Sequence, residues 1–151
     1  MTRLFESVIA GAAGAAALTA VHQTARVATD QAPRMDVLGK RALRAIARQA
    51  GAPFSGSRDL ERETMAGDLV ANTAYYALIG AGRDEHVMAR GLTLGLLAGI
   101  GALLLPRPMG LGDPPNAHNP ATQVMTVAWY VIGGITAAVV MRGMGRHGSH
   151  G

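Results

Sequence analysis

Long apolar stretches, separated by short polar connections, dominate the hydrophobic pattern of this chain. A helix crosses the hydrocarbon core of a bilayer with about 20 mostly apolar residues, and the stretch GLTLGLLAGIGALLL at residues 91–105 runs without a charge. Another stretch contains Asp68 and Asn72, which would be costly in a lone span and tolerable in a bundle of helices. The pattern predicts four transmembrane helices, over about residues 4–26, 64–82, 87–105 and 121–141.

The first stretch, LFESVIAGAAGAAALTAV at residues 4–21, could instead be a cleaved signal peptide. A signal peptide has a cationic start and a small-residue cleavage site after its apolar run. Here Arg3 is offset by Glu6, and no clean small-x-small site follows Ala20. We therefore expect this stretch to be retained as a membrane span.

A differently patterned segment, DVLGKRALRAIARQAG, lies between the first two predicted spans. Asp36 is a suitable N-cap, and Gly51 stands where a helix would end. At about 100 degrees per residue, one arc of the wheel is purely cationic and the opposite arc is apolar. We expect an interfacial helix over residues 37–50 that lies on an anionic lipid surface; the alternative is a solvated helix packed on its own protein. The predicted lipid-surface residues are Lys40, Arg41, Arg44 and Arg48.

The sequence PRPMGLGDPPNAHNP separates the last two predicted spans. Proline lacks the backbone donor that a helix needs, and Gly110 and Gly112 favour turns, so no helix can continue through it. Broken backbone inside hydrocarbon would leave polar groups unsatisfied. Residues 106–120 are therefore predicted to form a hairpin at or beyond the membrane surface, and residues 142–151 are predicted to form a flexible tail.

Composition supports a membrane location. Hydrophobic residues make up 49% of the 151 residues, charged residues only 16%, and the mean hydropathy is +0.19. A soluble domain usually carries about a quarter charged residues, so this chain has too little charge to cover a water-facing surface. Eight of the fourteen Lys and Arg lie between residues 26 and 62, beside an apolar segment. That placement favours anionic lipid over nucleic acid as the partner of this basic chain.

Small residues recur on one face of the third predicted span. Gly91, Gly95 and Gly99 are spaced by four residues and form two overlapping GxxxG units. Such a groove lets another helix backbone approach closely. We expect these glycines to pack against a small-residue face within the chain, at Gly11 and Ala15 or at Gly134 and Ala138. The alternatives are a homo-oligomer or a larger membrane complex.

Polar residues form two facing stripes on the first two predicted spans. His22 and Arg26 share a face at the far end of the first span, and Asp68 and Asn72 share a face on the second. In an antiparallel hairpin both stripes lie on the same side of the membrane, and a buried carboxylate needs a partner. We expect Asp68 to pair with His22 or Arg26 in an intramembrane polar cluster of His22, Arg26, Asp68 and Asn72. This cluster would pin two helices together or line a proton or solute pathway.

Signatures of catalysis and metal binding are missing from the sequence. Cysteine is absent, and no two histidines have zinc-site spacing on a predicted helix. The glycine clusters lie in apolar helices, where they cannot serve as a phosphate loop or a dinucleotide fingerprint. We expect no catalytic residue, no metal and no cofactor, and a non-enzymatic role that depends on helix packing. Proton-coupled or small-solute transport through the polar cluster is the alternative.

The second half of the chain resembles a known family. The sequence GLLAGIGALLLPRPMGLGDPP, followed by an apolar helix with a Trp, resembles the YagU-like family of small bacterial inner-membrane proteins. The resemblance covers roughly residues 91–133 and rests on structural motifs. It implies a multi-pass protein of the bacterial inner membrane and carries over no catalytic residue.

The distribution of cations bears on the topology, because short cytoplasmic loops are enriched in Lys and Arg. Four spans with an outside N-terminus put nine cations inside and five outside, whereas three spans give twelve and two. The charge count favours three spans; hydropathy and the resemblance favour four. The fold expected is an all-α integral membrane bundle of four transmembrane helices with one interfacial amphipathic helix, cytoplasmic in either topology.

Overall fold

Five α-helices make up the described part of this chain. The computed structural model describes residues 2–51 and 57–148, and these residues form helices and turns alone. Two short 3-10 turns, Leu78–Gly80 and Asp84–His86, lie between the third and fourth helices. The helices are α1 (Arg3–Ala28), α2 (Met35–Gln49), α3 (Ser57–Ala77), α4 (Val87–Leu104) and α5 (Pro120–Gly148).

The four long helices alternate in direction. A Cβ atom placed on Gly11 of α1 would meet backbone of α3 at Ala77, and one on Gly14 would meet the carbonyl of Gly133 in α5. Later residues of α1 lie beside earlier residues of these two helices, since His22 contacts Trp129. Helices α3 and α5 therefore run antiparallel to α1. Because α4 in turn runs antiparallel to α5, α1 and α4 are parallel.

Small side chains let α1, α3 and α5 approach closely, and one large residue fills the space between them. Tyr76 of α3 is completely buried, and its hydroxyl donates a hydrogen bond to the carbonyl of Tyr130 at 2.7 Å. Gly14 and Gly133 line the space that the ring occupies. Alanine and glycine at these positions reduce the separation of the helices, as in membrane bundles generally.

The two ends of the bundle are built differently. At one end, Arg3 donates to the carbonyls of Gly80 and Gly82, and Arg90 donates to those of Ile79 and Arg83, so two arginines fasten the turn between α3 and α4. At the other end, α2 and the hairpin between α4 and α5 lie across the bundle. These two ends are called below the turn end and the α2 end.

Several predicted boundaries differ from the observed ones. Helix α2 begins at Met35 rather than at residue 37, and Asp36 lies in its first turn instead of capping it. The tail predicted to be flexible over 142–151 is helical as far as Gly148, because α5 continues without a break; residues 149–151 lie outside the described part. Residues 105–119 form turns in place of a helix, with positive φ at Gly110, Gly112 and Asn116.

Candidate functional site

A polar cavity of about 80 Å³ lies between α1, α2 and α3 at the α2 end of the bundle. Helix α1 contributes His22 and Arg26, α2 contributes Asp36 and Lys40, and α3 contributes Thr64, among other lining residues. The cavity forms because α2 rests on the ends of α1 and α3 without filling the angle between them. It is large enough to hold several water molecules, each of which needs roughly 10–15 Å³ of such space.

Two polar atoms are buried around this cavity without a hydrogen-bond partner among the described residues. They are Nε2 of His22 and Oγ1 of Thr64. Thr64 is only 8% exposed, and the imidazole of His22 packs edge-on against the indole of Trp129 with ring centroids 4.8 Å apart. A buried polar group that lacks a partner costs free energy. Both atoms are buried behind the lining of the cavity, so a molecule could reach them only if neighbouring side chains moved.

Arg26 does not make the contact that the sequence predicts. We expected it to pair with Asp68, but Arg26 Nη2 lies 3.6 Å from Asp36 Oδ2. Asp36 also accepts two hydrogen bonds from Arg34, at 3.0 and 3.1 Å. Partial burial opposes ionisation of Asp36, but the bond from Arg34 and the charges of Arg26, Arg34 and Lys40 outweigh it and lower the pKa of this carboxyl.

Asp68 and Asn72 lie on α3 in different surroundings. Asp68 is exposed, and part of its side chain lines the polar cavity together with His22 and Arg26. Asn72 donates a hydrogen bond to the backbone carbonyl of Asp68 at 2.9 Å and lines a separate groove, between α3 and α4. The structure thus brings three of the four predicted cluster residues to one cavity and places Asn72 at another.

The four predicted lipid-surface cations of α2 divide into two pairs. Lys40 lies 3.6 Å from Glu61 of α3, and Arg41 Nη1 donates to the carbonyls of Leu111 and Asp113 in the hairpin, at 3.0 and 2.9 Å. These two residues fasten α2 to its own protein. Arg44 and Arg48, further along the helix, are exposed, and Arg48 Nε donates a hydrogen bond to the backbone carbonyl of Arg44 at 3.4 Å.

Beyond the cavity, the bundle is filled by apolar side chains. Leu18 and Tyr76 lie next to it, and Ala10, Ile79 and Ala138 follow towards the turn end, each with at most 1% of its surface exposed. None of these residues lines the cavity. The cavity therefore lies at the α2 end of the bundle.

The hairpin contains a charged cluster that sequence reasoning missed. Asp113 lies 2.8 Å from Arg107 and 3.1 Å from His118. Desolvation opposes ionisation of Asp113, but hydrogen bonds and charges from Arg107 and His118 lower its pKa. Arg107 and Asp113 are six residues apart, and Asp113 and His118 are five apart, spacings that do not indicate a shared helix face. The only signal in the sequence was the presence of three polar residues among prolines.

The glycines of α4 lie where the sequence predicts a packing seam. Gly91, Gly95 and Gly99 are all buried, and a Cβ atom on them would lie 2.5–2.7 Å from the nearest atoms of α5. The partner face includes Gly134 and Ala138 of the same chain. The seam is therefore intramolecular.

Three helices of the described residues are long and apolar enough to cross a membrane: Arg3–Ala28, Asp84–Leu104 and Pro120–Gly145. Large apolar side chains on their outer faces are exposed, with Leu97 at 59% and Val139 at 55%. The described residues are thus all-helical, and their length and composition suggest a membrane protein. No family model, no curated protein and no solved structure matches this chain.

Proposed function

We propose that this chain is a four-span protein of the bacterial inner membrane that works by contact, with α2 lying on the anionic headgroups of the cytoplasmic leaflet. Its role is structural or interactive and does not involve catalysis. The observation that carries the proposal is the docking of α2. Lys40 and Arg41 fix this helix across one end of the bundle, and its further cations, Arg44 and Arg48, are exposed to the surroundings there.

The direction of the helices supports four spans. Because α1 and α4 run parallel, the chain returns from the α2 end to the turn end between them, and α3 is the segment that makes this return. Helix α3 is not among the three apolar helices named above, because its first two turns are charged. Residues 64–77 extend about 21 Å at the usual helical rise, and the 3-10 turn Leu78–Gly80 adds about 6 Å, which is close to the thickness of a hydrocarbon core. The α2 end then carries nine of the fourteen Lys and Arg, as expected of a cytoplasmic side. The resemblance to the YagU-like family supports the same location.

A lipid-dependent melting experiment tests the role of α2. In nanodiscs of phosphatidylglycerol we expect wild-type protein to melt at a higher temperature than in phosphatidylcholine, because each exposed Arg near an anionic surface contributes about 1 kcal/mol. Changing Arg44→Gln together with Arg48→Gln should remove most of this difference. Salt at a concentration that shortens the Debye length to a few ångströms should weaken it too.

The matched control removes the same charge from the turn end. Arg83 and Arg142 are exposed, and because Arg83 is already paired with Glu85 at 2.9 Å, Arg83→Gln with Arg142→Gln should remove less of the phosphatidylglycerol effect than the double change on α2. Equal losses from both double variants would mean that only net charge matters. That result would contradict a specific role for α2.

The polar cavity favours a second candidate, proton-coupled or small-solute transport. Unpartnered atoms of His22 and Thr64 beside Asp68 form a set that could exchange protons or bind a small solute. Under this proposal Asp68→Asn abolishes proton flux into liposomes and leaves the melting temperature unchanged. Wild-type protein without measurable flux would rule it out.

A further inference from the structure

A second and larger recess, of about 440 Å³, lies between α3 and α4 on the side of the bundle away from α1. Ala71 and Tyr75 form its α3 wall, and Ala98 and Leu105 belong to its α4 wall. Tyr130 of α5 also lines it. The lining is mainly aliphatic and aromatic. This recess is called below the α3–α4 groove.

The groove is closed at its inner end. Tyr75 donates a hydrogen bond from its hydroxyl to the carbonyl of Leu94 at 2.9 Å, which bridges α3 and α4 there. From this bridge the groove follows α4 from Leu97 to Leu105. Eight residues of helix rise about 12 Å, close to half of the roughly 30 Å hydrocarbon thickness. The groove is therefore about as deep as one leaflet.

The outer end of the groove lies beneath α2 and the hairpin. Met35 and Leu38 of α2 line it, together with Leu111 of the hairpin. Arg41 stands one turn beyond Leu38, and its guanidinium donates to the carbonyl of Leu111 at 3.0 Å. An apolar recess thus ends beside a cation on the most basic helix of the chain. This arrangement complements a molecule with an apolar tail and an anionic head.

The length and lining of the groove match a hydrocarbon chain. Leu97, Ala98 and Leu105 line it on one side and Ala71 on the other, with polar groups of Asn72 and Tyr130 among them. Apolar surface of this kind is covered favourably by another apolar group.

We propose that the α3–α4 groove binds one acyl chain of an anionic phospholipid from the leaflet on which α2 lies, with its phosphate beside Arg41. This proposal rests on the four-span placement proposed above, which puts α3 and α4 side by side in the bilayer. It goes further by assigning a defined lipid site to the chain.

Native mass spectrometry tests the site. The full-length protein in mild detergent is titrated with palmitoyl-oleoyl phosphatidylglycerol or the matching phosphatidylcholine, and bound lipids are counted. We expect one tight phosphatidylglycerol per chain. Ala71→Leu or Ala98→Leu fills part of the groove and displaces about two methylene groups, so each should weaken binding roughly tenfold. Arg41→Gln should abolish the preference for phosphatidylglycerol over phosphatidylcholine.

Ala74→Leu is the matched control. Ala74 is exposed on α3, one turn from Ala71, and is not part of the groove lining. It should leave lipid binding within twofold of wild type. Melting curves of all variants verify that the bundle is intact. Unchanged affinity in both groove-filling variants would overturn the proposal. So would a result in which these variants still bind the lipid but no longer form a dimer that the wild-type protein forms.

The two proposals can fail separately. If Arg44→Gln with Arg48→Gln removes the stabilisation by phosphatidylglycerol but Ala71→Leu and Ala98→Leu bind lipid as the wild type does, the groove proposal alone is wrong. If the groove variants lose the bound lipid while the double arginine variant melts as the wild type does in both lipids, the groove stands and the surface role of Arg44 and Arg48 is wrong.

Discussion

Helix α4 contacts its two neighbours in contrasting ways. Against α5 it presents glycine at every fourth position, and the two backbones meet with no side chain between them. Against α3 it presents Leu97 and Ala98, and the two helices enclose the α3–α4 groove, bridged by Tyr75 at its inner end. One face of the same helix is therefore a closed seam and another is open to a small apolar ligand.

The difference shows what holds a bundle together when lipid replaces water. Apolar side chains gain little by leaving lipid for another helix, so association depends on close packing and on hydrogen bonds between helices. The α4–α5 seam supplies the packing. Between α3 and α4, one side-chain hydrogen bond among the described residues, from Tyr75 to the carbonyl of Leu94, closes one end of the groove. The rest of the groove is open to a ligand.

The largest effect is expected from breaking the seam. Gly95→Ala would place a Cβ atom 2.6 Å from the Cα of Val131, so one backbone must move. We expect the free energy of unfolding in detergent to fall by about 3 kcal/mol. Gly67→Ala on α3 is the control: a Cβ there meets nothing within 4 Å, so it should be neutral or stabilise by up to about 1 kcal/mol. Equal effects of the two changes would remove Gly95 from a packed seam.

A smaller effect is expected at the outer end of the groove. Arg41→Gln removes two hydrogen bonds to the hairpin carbonyls of Leu111 and Asp113. Because the site is only half-buried, we expect a loss of about 1–2 kcal/mol and faster hydrogen exchange in residues 106–119. Arg48→Gln is the control on the same helix and should leave the exchange of the hairpin unchanged. Exchange that stays slow in the Arg41 variant would show that the hairpin is held by its own turns.

At the inner end of the groove, Tyr75→Phe removes the bridge to Leu94 while preserving the ring. Interhelical hydrogen bonds in membrane proteins contribute on average about 0.6 kcal/mol, so a loss of about that size is expected. Tyr76→Phe offers a comparison, since its 2.7 Å bond to Tyr130 is more deeply buried and should cost more. A larger loss from Tyr75→Phe than from Tyr76→Phe would contradict this order.

The smallest effect concerns pH and the seating of α2. Since the pKa of Asp36 is lowered in the folded protein, its contribution to stability is full above the unfolded value of about 3.9 and is lost as pH falls through the folded value. Asp36→Asn should therefore be less stable than wild type at pH 7. The difference in stability between the two proteins should disappear as the pH is lowered towards 3. A gap that stays constant with pH would show that the carboxylate charge of Asp36 is not involved.

Periodic features could be predicted from the sequence, and features that depend on the path of a loop could not. The glycine seam could be predicted because glycines spaced by four residues on an apolar helix indicate close packing against another helix. The partner of Arg26 could not be predicted, because residues 29–34 turn the chain back and bring Asp36 within reach of Arg26. The groove was invisible for a related reason: its walls come from helices that meet only once the turn between α3 and α4 is fixed.

The end of α5 illustrates a different limit. RGMGRHGSHG has the composition of a disordered tail, yet α5 continues through Arg142 to Gly148. Propensity alone disfavours glycine in a helix by about 1 kcal/mol per residue. Here the preceding turns already pack on α1, where Met141 is buried beside Ala10, and an established helix extends at lower cost than a new one nucleates.

Crossing of the membrane by α3 can be measured directly, because the natural chain has no cysteine. Single cysteines are introduced at two exposed positions, Asp59→Cys in the first turn of α3 and Glu85→Cys in the 3-10 turn between α3 and α4. They are labelled with a membrane-impermeant maleimide in intact spheroplasts and in inside-out vesicles. A four-span bundle predicts that position 85 reacts from outside and position 59 only from the cytoplasmic side. Labelling of both positions from the same side would contradict it and leave α3 on the cytoplasmic surface.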